Sequence, residues 1–106
     1  MTFKVTELDV VRWGEARGIV QNATAISQAT KTLEEVHELL AAITNNDHAE
    51  IADAIGDIMV TLVMVCAVLD RDGIPMDLSK CFAGAYEQIK DRRGYLMPDG
   101  TFVKQV

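Results

Sequence analysis

The stretch that decides the fold is residues 33–69, LEEVHELLAAITNNDHAEIADAIGDIMVTLVMVCAVL. In its first part, apolar side chains recur at the spacing of one helical face, at Leu33, Val36, Leu40 and Ile43. The pair Asn45-Asn46 interrupts this pattern, and Asp47 is well placed to cap a new helix. We therefore predict two long helices, one over about residues 25–44 and one from the Asp47 cap to about residue 71.

Two shorter helices are predicted on either side of this pair. Thr6 can cap a first helix that runs to about Arg17, and residues 18–24 form a polar connection after it. Asp77 can cap a fourth helix that closes near Arg93. The chain has 49% hydrophobic but only 6% aromatic residues, which is typical of aliphatic helix packing. The sequence therefore predicts an all-α fold, a four-helix bundle.

Two features predict that copies of the chain assemble. The run from Ile58 to Leu69 leaves almost no polar face, and such a helix has to be buried on all sides. Three other helices of this size hardly enclose it within one chain. The tail from Tyr95 to Val106 has Pro98-Asp99-Gly100 between short apolar segments, which predicts a small hairpin or an arm over a neighbouring subunit. We expect a homodimer or a dimer of dimers (a homotetramer), with the third helix near the interface.

Composition and charge limit the possible functions. The 106 residues suffice for one domain, expected to span residues 1–106. A net charge of −6 argues against nucleic-acid partners, which usually require a basic surface. The apolar run 58–69 is shorter than the roughly 18–20 residues of a membrane span, and no signal-peptide segment follows Met1. Cys66 and Cys81 lack metal-binding spacing and are expected to be buried and reduced, so we predict a soluble cytoplasmic protein.

Acidic side chains form two clusters in the deciding stretch: Glu34, Glu35 and Glu38 on the second helix, and Glu50, Asp53 and Asp57 on the third. At about 100° per residue, each cluster occupies one helical face. If the two helices pair antiparallel, both faces converge, and carboxylates repel each other unless a cation lies between them. Oxygen ligands of this kind suit Mg²⁺ or Mn²⁺. The pattern therefore predicts a metal-dependent enzyme.

A plainer interpretation exists for each acidic cluster. Three glutamates on one helix are most often a solvated face, and acids near a helix N-terminus favour the helix dipole. Asp57 fits this less well, because it lies beyond the first turn and at the start of an apolar segment, where a bare carboxylate is poorly solvated. The half-motif of di-iron bundles, Glu34-x-x-His37, occurs only once. Together the two clusters favour a metal site.

Basic and aromatic side chains offer contacts for an anionic substrate. Basic residues cluster at the end of the fourth helix, at Lys90, Arg92 and Arg93. They either complement the helix C-terminus or bind phosphate oxygens. Lys31 either binds a phosphate oxygen as well or forms an ion pair with Glu35, one helical turn later. Trp13 either packs in the core or stacks on a nucleobase. The predicted substrate-binding residues are Lys31, Lys90, Arg93 and Trp13.

The order of these motifs resembles a known family. Residues 31–39 (KTLEEVHEL) are followed by residues 50–57 (EIADAIGD), and the segments 85–94 (AYEQIKDRRG) and 100–104 (GTFVK) come later. They are similar to the all-α nucleoside triphosphate pyrophosphohydrolases of the MazG-like type, whose hallmark is E-x-x-E, a spacer and E-x-x-D. The chain looks most like the short single-domain members, which are often phage-encoded.

Carried over residue by residue, the resemblance places the first motif at Glu34, Glu35 and Glu38. The second motif has two possible registers. Glu50 and Asp53 match E-x-x-D literally, whereas alignment on Gly56-Asp57 puts Ala54 where a glutamate is expected. Both registers use one helical face, so which of Glu50, Asp53 and Asp57 bind metal stays open.

The resemblance also implies an activity. Such enzymes hydrolyse NTPs or dNTPs between the α- and β-phosphates to a nucleoside monophosphate and pyrophosphate, which cleans or adjusts the nucleotide pool. The clustered carboxylates would hold Mg²⁺ or Mn²⁺. Glu35 and Glu38 are the expected catalytic residues, with Glu35 the first candidate to orient or deprotonate the attacking water. Lys90 and Arg93 would hold phosphate oxygens.

Two alternatives remain at this stage. One is a non-catalytic helical oligomer that binds a partner or regulates it, in which the acidic faces are simply solvated. The other is a related phosphoribosyl-ATP pyrophosphohydrolase. A response to divalent cations separates the first from an enzyme, and product identity separates the second. Nothing in the sequence identifies a preferred base or sugar.

Overall fold

The computed structural model describes residues 2–105, and in this range five helices and a two-stranded hairpin follow one another. The helices are α1 (Phe3–Ala16), α2 (Ile19–Asn22), α3 (Ala25–Thr44), α4 (His48–Arg71) and α5 (Leu78–Ile89). The antiparallel strands are β1 (Gly94–Leu96) and β2 (Phe102–Lys104). The predicted all-α class is confirmed, and the tail contains the predicted hairpin.

A tight turn between α3 and α4 makes them an antiparallel pair. Asn46 has a φ of 53°, a left-handed conformation that asparagine tolerates better than most residues. The Asn46 amide donates a hydrogen bond of 3.0 Å to the Ile43 carbonyl. The Asp47 amide donates one of 3.0 Å to the Ala42 carbonyl. This arrangement satisfies the last carbonyls of α3 and reverses the chain at once. As a result, α3 lies along α4 for most of its length.

The face of α3 that turns towards α4 is more polar than expected. Its less exposed positions recur at spacings of three and four: Gln28, Thr32, Glu35, Leu39 and Ala42. Thr32 donates a hydrogen bond of 2.7 Å to the hydroxyl of Thr61 on α4. The apolar stripe from the sequence lies elsewhere, since Leu33 and Leu40 are each 57% exposed. Within this chain, α3 therefore packs the side that carries Glu35 on α4 and leaves Leu33, Leu40 and Ile43 of the apolar stripe open, while Val36 is half-buried.

The centre of the core is formed by α4. Met64 and Val68 are its fully buried large side chains. Gly14 allows α1 to approach closely, because a Cβ there would lie 2.7 Å from the Met64 Cε. Several other apolar positions of α4 are only half-buried, and Ile55 is 51% exposed. By length and composition α4 could cross a membrane, but the core helix of a soluble protein passes the same test.

The N-terminal helix begins earlier than predicted. Thr2, not Thr6, caps α1, and its hydroxyl oxygen accepts a hydrogen bond of 3.2 Å from the Val5 amide. The buried Glu7 carboxylate then accepts hydrogen bonds from the Leu78 amide (2.7 Å) and the Ser79 hydroxyl. These bonds connect α1 to the beginning of α5.

The segment predicted as a polar connection, residues 18–24, contains the short helix α2. Gly18 has a φ of 78° and separates α2 from α1. Arg71, at the end of α4, donates to the carbonyls of Val20 (2.9 Å) and Ala23 (2.7 Å). Residues 2–105 therefore contain five helices where the sequence predicted four, because this distant arginine satisfies carbonyls that a four-residue helix leaves open.

The C-terminal part is less enclosed than the rest. Helix α5 ends at Ile89, before the predicted limit near Arg93, and the chain then enters the hairpin. Large apolar side chains of this region are exposed, among them Phe82 (66%) and Tyr86 (59%). The prediction that both cysteines are buried holds for Cys66 but is wrong for Cys81, which lies on this exposed helix.

Candidate active site

Three carboxylates from the paired helices meet at one place. Glu35 and Glu38 on α3 and Asp57 on α4 each have an oxygen within 4.8 Å of the others. We call these three the carboxylate group. Glu35 and Glu38 lie one turn apart on α3, and the tight turn after α3 brings α4 alongside them. The convergence expected from antiparallel pairing is therefore present for these three side chains.

Glu35 is the buried member of the carboxylate group. The residue is only 7% exposed, and its Oε2 atom has no hydrogen-bond partner. The Glu38 carboxyl, with which Glu35 can share a proton, and then burial raise the pKa of Glu35 above its usual range. A buried oxygen without a partner is costly, and a cation is a ligand that would satisfy it.

Asp57 experiences the same crowding from the other helix. Burial first, and then the charges of Asp53 and Glu35, raise the pKa of Asp57. The nearby cation is Lys31, whose ammonium lies 3.1 Å from the Glu34 carboxylate and 3.7 Å from that of Glu35. One exposed ammonium does not neutralise three carboxylates. The group is therefore suited to a hard divalent cation with oxygen ligands, such as Mg²⁺ or Mn²⁺.

The other predicted metal ligands lie outside this group. The side chain of Glu34 is 60% exposed and paired with Lys31. Glu50 is exposed in the first turn of α4, and Asp53 is exposed on the side of α4 that faces α1. Ala54, which takes the place of a glutamate in one register of the motif, is 1% exposed. The structure thus brings Asp57, rather than Glu50 or Asp53, to the two glutamates of α3.

Of the predicted substrate-binding residues, only Lys31 touches the carboxylate group. Lys90 follows the end of α5 and pairs with Glu87 at 2.7 Å. Arg93 lies beyond α5, immediately before β1, and not in the last helical turn. Trp13 is 43% exposed, with the Arg17 guanidinium 5.8 Å from its ring centre, so it is not a core residue of this chain.

An apolar cavity beside the carboxylate group was not foreseen from the sequence. Its volume is about 420 Å³, and it lies between α1 and α4; we call it the α1–α4 slot. Its apolar walls include Phe3 and Val10 on one side and Met59 and Val60 on the other. The sequence prediction missed it because a helix that begins after Thr6 excludes the first turn of α1.

A comparison with known families identifies the family of this chain. The family model for the MazG nucleotide pyrophosphohydrolase domain matches residues 23–96, which include α3, α4 and α5. The chain belongs to the MazG family. MazG enzymes are metal-dependent and act on nucleoside triphosphates, so the MazG assignment supports nucleotide pyrophosphohydrolase activity as a class.

A curated relative of this MazG chain comes from Haemophilus phage HP1 (strain HP1c1). It is the "Uncharacterized 18.2 kDa protein in rep-hol intergenic region", 33% identical over 57 residues. The aligned part is 54% of this chain but only 35% of that protein, so the chain spans about a third of its relative's length. No solved structure matches the chain.

Proposed function

We propose that this MazG protein hydrolyses nucleoside triphosphates or deoxynucleoside triphosphates between the α- and β-phosphates. The products are a nucleoside monophosphate and pyrophosphate, and the role is to clean or adjust the nucleotide pool. The observation that carries the proposal is the Glu35 carboxylate, buried without a partner for Oε2 and within 4.8 Å of Glu38 and Asp57 oxygens. Such an arrangement is unfavourable in the empty protein and favourable around a cation.

In this proposal Glu35, Glu38 and Asp57 hold Mg²⁺ or Mn²⁺. When bound, the divalent cation neutralises the triphosphate and makes the attacking water more acidic. Glu35, as far as it is not fully committed to the metal, orients this water and accepts its proton. Lys31, beside the group, is placed to contact a phosphate oxygen.

The remaining predicted site residues have more distant roles in the proposal. Glu34 and Asp53 lie next to residues of the carboxylate group, through Lys31 and Asp57 respectively, and Glu50 lies further along α4; in the proposal they either shape the potential or bind a further ion. Lys90, Arg93 and Trp13 contact substrate only if another copy of the chain brings them to the site. We accordingly propose a single-domain, cytoplasmic enzyme that works as a homodimer or homotetramer, without nucleic-acid or membrane partners.

A product assay tests the proposed reaction directly. Canonical and modified NTPs and dNTPs are incubated with the protein and Mg²⁺ or Mn²⁺, and monophosphate, pyrophosphate and orthophosphate are scored separately. We expect monophosphate and pyrophosphate in equal amounts, lost with EDTA and in Glu38→Ala. Orthophosphate as the direct product, or full turnover in Glu38→Ala, contradicts the proposal. A matched control is Asp9→Asn, which removes one exposed carboxylate on α1.

A further inference from the structure

Three sulfur-bearing side chains line one cavity where α4 and α5 come together. Cys66 lies on α4, Met76 lies between the two helices, and Cys81 lies near the beginning of α5. The cavity has a volume of about 650 Å³, and among the described residues that line it none belongs to the carboxylate group. The Cys81 Sγ–H donates to the Met76 Sδ atom over 3.4 Å. We call these three residues the sulfur cluster.

Cys66 is the buried member of the sulfur cluster. The residue is 8% exposed, whereas Cys81 is exposed and Met76 is 37% exposed. Burial first, and then the neighbouring Cys81 thiol, raise the pKa of Cys66 to about 11. One thiol affects the other in this way only when the two sulfurs lie close together. The cluster therefore has a thiol at its base and two sulfurs towards the solvent, from which a small ion can enter.

The ligand set determines which ion suits the sulfur cluster. Thiolate and thioether sulfurs are soft ligands that favour Cu(I) and bind Mg²⁺ or Mn²⁺ poorly. A zinc site would need further nitrogen, oxygen or thiolate ligands. Within residues 2–105, no histidine or acidic side chain joins both thiols as a third ligand within 4.8 Å. The third ligand that the structure offers is the thioether of Met76, which favours Cu(I) over Zn²⁺.

We propose that the sulfur cluster binds one Cu(I) ion. Each of the two thiols releases a proton and the thioether donates a lone pair, so that three sulfurs surround the ion and the complex has a net charge of minus one. Lys80 lines the same cavity, and its ammonium offsets this charge. The bound ion ties α5 to α4. This proposal is independent of the proposed reaction, because it uses other residues and a soft cation.

A titration of the reduced protein with Cu(I) in the absence of oxygen, in competition with bicinchoninate, tests the proposal. We expect one ion per chain and three sulfur ligands by X-ray absorption. Cys81→Ser should weaken binding about 100-fold or more, because a chelating ligand is lost. Met76→Leu, which conserves volume, should weaken it about tenfold. Met97→Leu is the matched control, since Met97 is 43% exposed and does not line the cavity, and it should bind as the wild type does.

Each result decides the proposal. Unchanged Cu(I) affinity in Cys81→Ser or in Met76→Leu overturns it, and so do fewer than three sulfur ligands in the wild type. Wild-type affinity in Cys66→Ala also overturns it, because the ion is then held by the exposed thiol alone. Should Cys66→Ala fail to fold, the exposed position Cys81 still decides, with circular dichroism and Mn²⁺ binding to show that the fold and the carboxylate group are intact in Cys81→Ser.

Discussion

At the residue scale, Glu35 is a position where the side chain suits a metal site but lowers the stability of the metal-free fold. A glutamate that packs between two helices usually has partners for both oxygens, yet Oε2 of Glu35 has none among the described residues 2–105. Glu38 and Asp57 add like charge nearby. The metal-free protein therefore bears a local destabilisation that a bound cation relieves.

We predict opposite effects of Glu35→Gln on stability and activity. The variant should melt at a higher temperature than the metal-free wild type, because one of the crowded charges is removed. Mn²⁺ should stabilise the wild type by about 2.7 kcal/mol at a hundred times its Kd, but Glu35→Gln far less. Turnover should fall about 100-fold or more. Thermal melts with and without Mn²⁺ and a pyrophosphate assay measure these effects.

The outcome that contradicts this prediction is a normal Mn²⁺-induced shift in Glu35→Gln. Glu34→Gln is the informative neighbour, since its side chain is 60% exposed and paired with Lys31. We expect it to lose less Mn²⁺ stabilisation than Glu35→Gln. If Glu34→Gln loses more, the metal lies nearer the solvent side of α3 than the carboxylate group.

The pH dependence follows from the raised pKa values of Glu35 and Asp57. Their usual values are 4.5 and 3.8. In the metal-free protein the folded state holds these protons more tightly than the unfolded chain, so these two groups should lower stability as pH rises from those values through the raised ones. Mn²⁺ binding needs the carboxylates ionised, so its Kd should fall over the same range. Denaturant titrations across pH test the predicted loss of stability, and calorimetry across pH tests the predicted fall in the Mn²⁺ Kd. A Kd that does not change with pH contradicts the prediction for Mn²⁺ binding.

At the scale of elements, the approach of α1 to α4 depends on Gly14. A Cβ there would lie 2.7 Å from Cε of Met64, which is 1% exposed, and 3.2 Å from Cγ2 of Val20. We predict that Gly14→Ala destabilises the protein by about 1–2 kcal/mol, since overpacking costs more than the roughly 1 kcal/mol gained in helix propensity. Gly84→Ala, where nothing lies within 4 Å, should be neutral or stabilising. Chemical denaturation of both variants measures the difference.

The elements also show what local sequence signals can and cannot predict. The bounds of α3 and α4 follow from caps and breakers within the helices' own sequence, at Thr24 and Asp47 and at Asn45-Asn46, and the prediction reproduced them. By contrast, α2 depends on Arg71, which is about fifty residues away, and no local pattern reveals such a contact. The first turn of α1 was missed because Thr2 and Thr6 are both acceptable caps.

For the site, helical periodicity was sufficient to select the face but not the residue. Glu50, Asp53 and Asp57 share one side of α4, and sequence spacing cannot separate them. The position along the helix determines which of the three acids reaches the glutamates of α3, because the turn at Asn46 sets which level of α4 meets Glu35. Of the predicted apolar stripe of α3, Leu33, Leu40 and Ile43 are exposed and only Val36 is half-buried, since periodicity does not say what covers a face.

At the scale of the whole molecule, large apolar side chains lie exposed on two separate helices, α3 and α5. On α3 the predicted stripe exposes Leu33 (57%), Leu40 (57%) and Ile43 (55%), and Ile26 nearer the start of the helix is 75% exposed. Further along the chain, Phe82 and Tyr86 on α5 are also exposed. Exposed apolar patches usually mark an interface. This surface supports the proposed homo-oligomer, since a second copy offers a stripe of the same chemistry.

Leu40→Glu tests whether the stripe of α3 is that interface. A carboxylate in a dry apolar contact is costly, so we predict that this variant dissociates to a smaller species, whereas the wild type has at least twice the 11.7 kDa mass of one chain. Ala41→Glu adds the same charge at the next, exposed position of α3 and should keep the wild-type mass. Light scattering on eluted peaks gives the masses. A wild-type mass of one chain refutes the oligomer, and an unchanged mass in Leu40→Glu moves the interface away from this stripe.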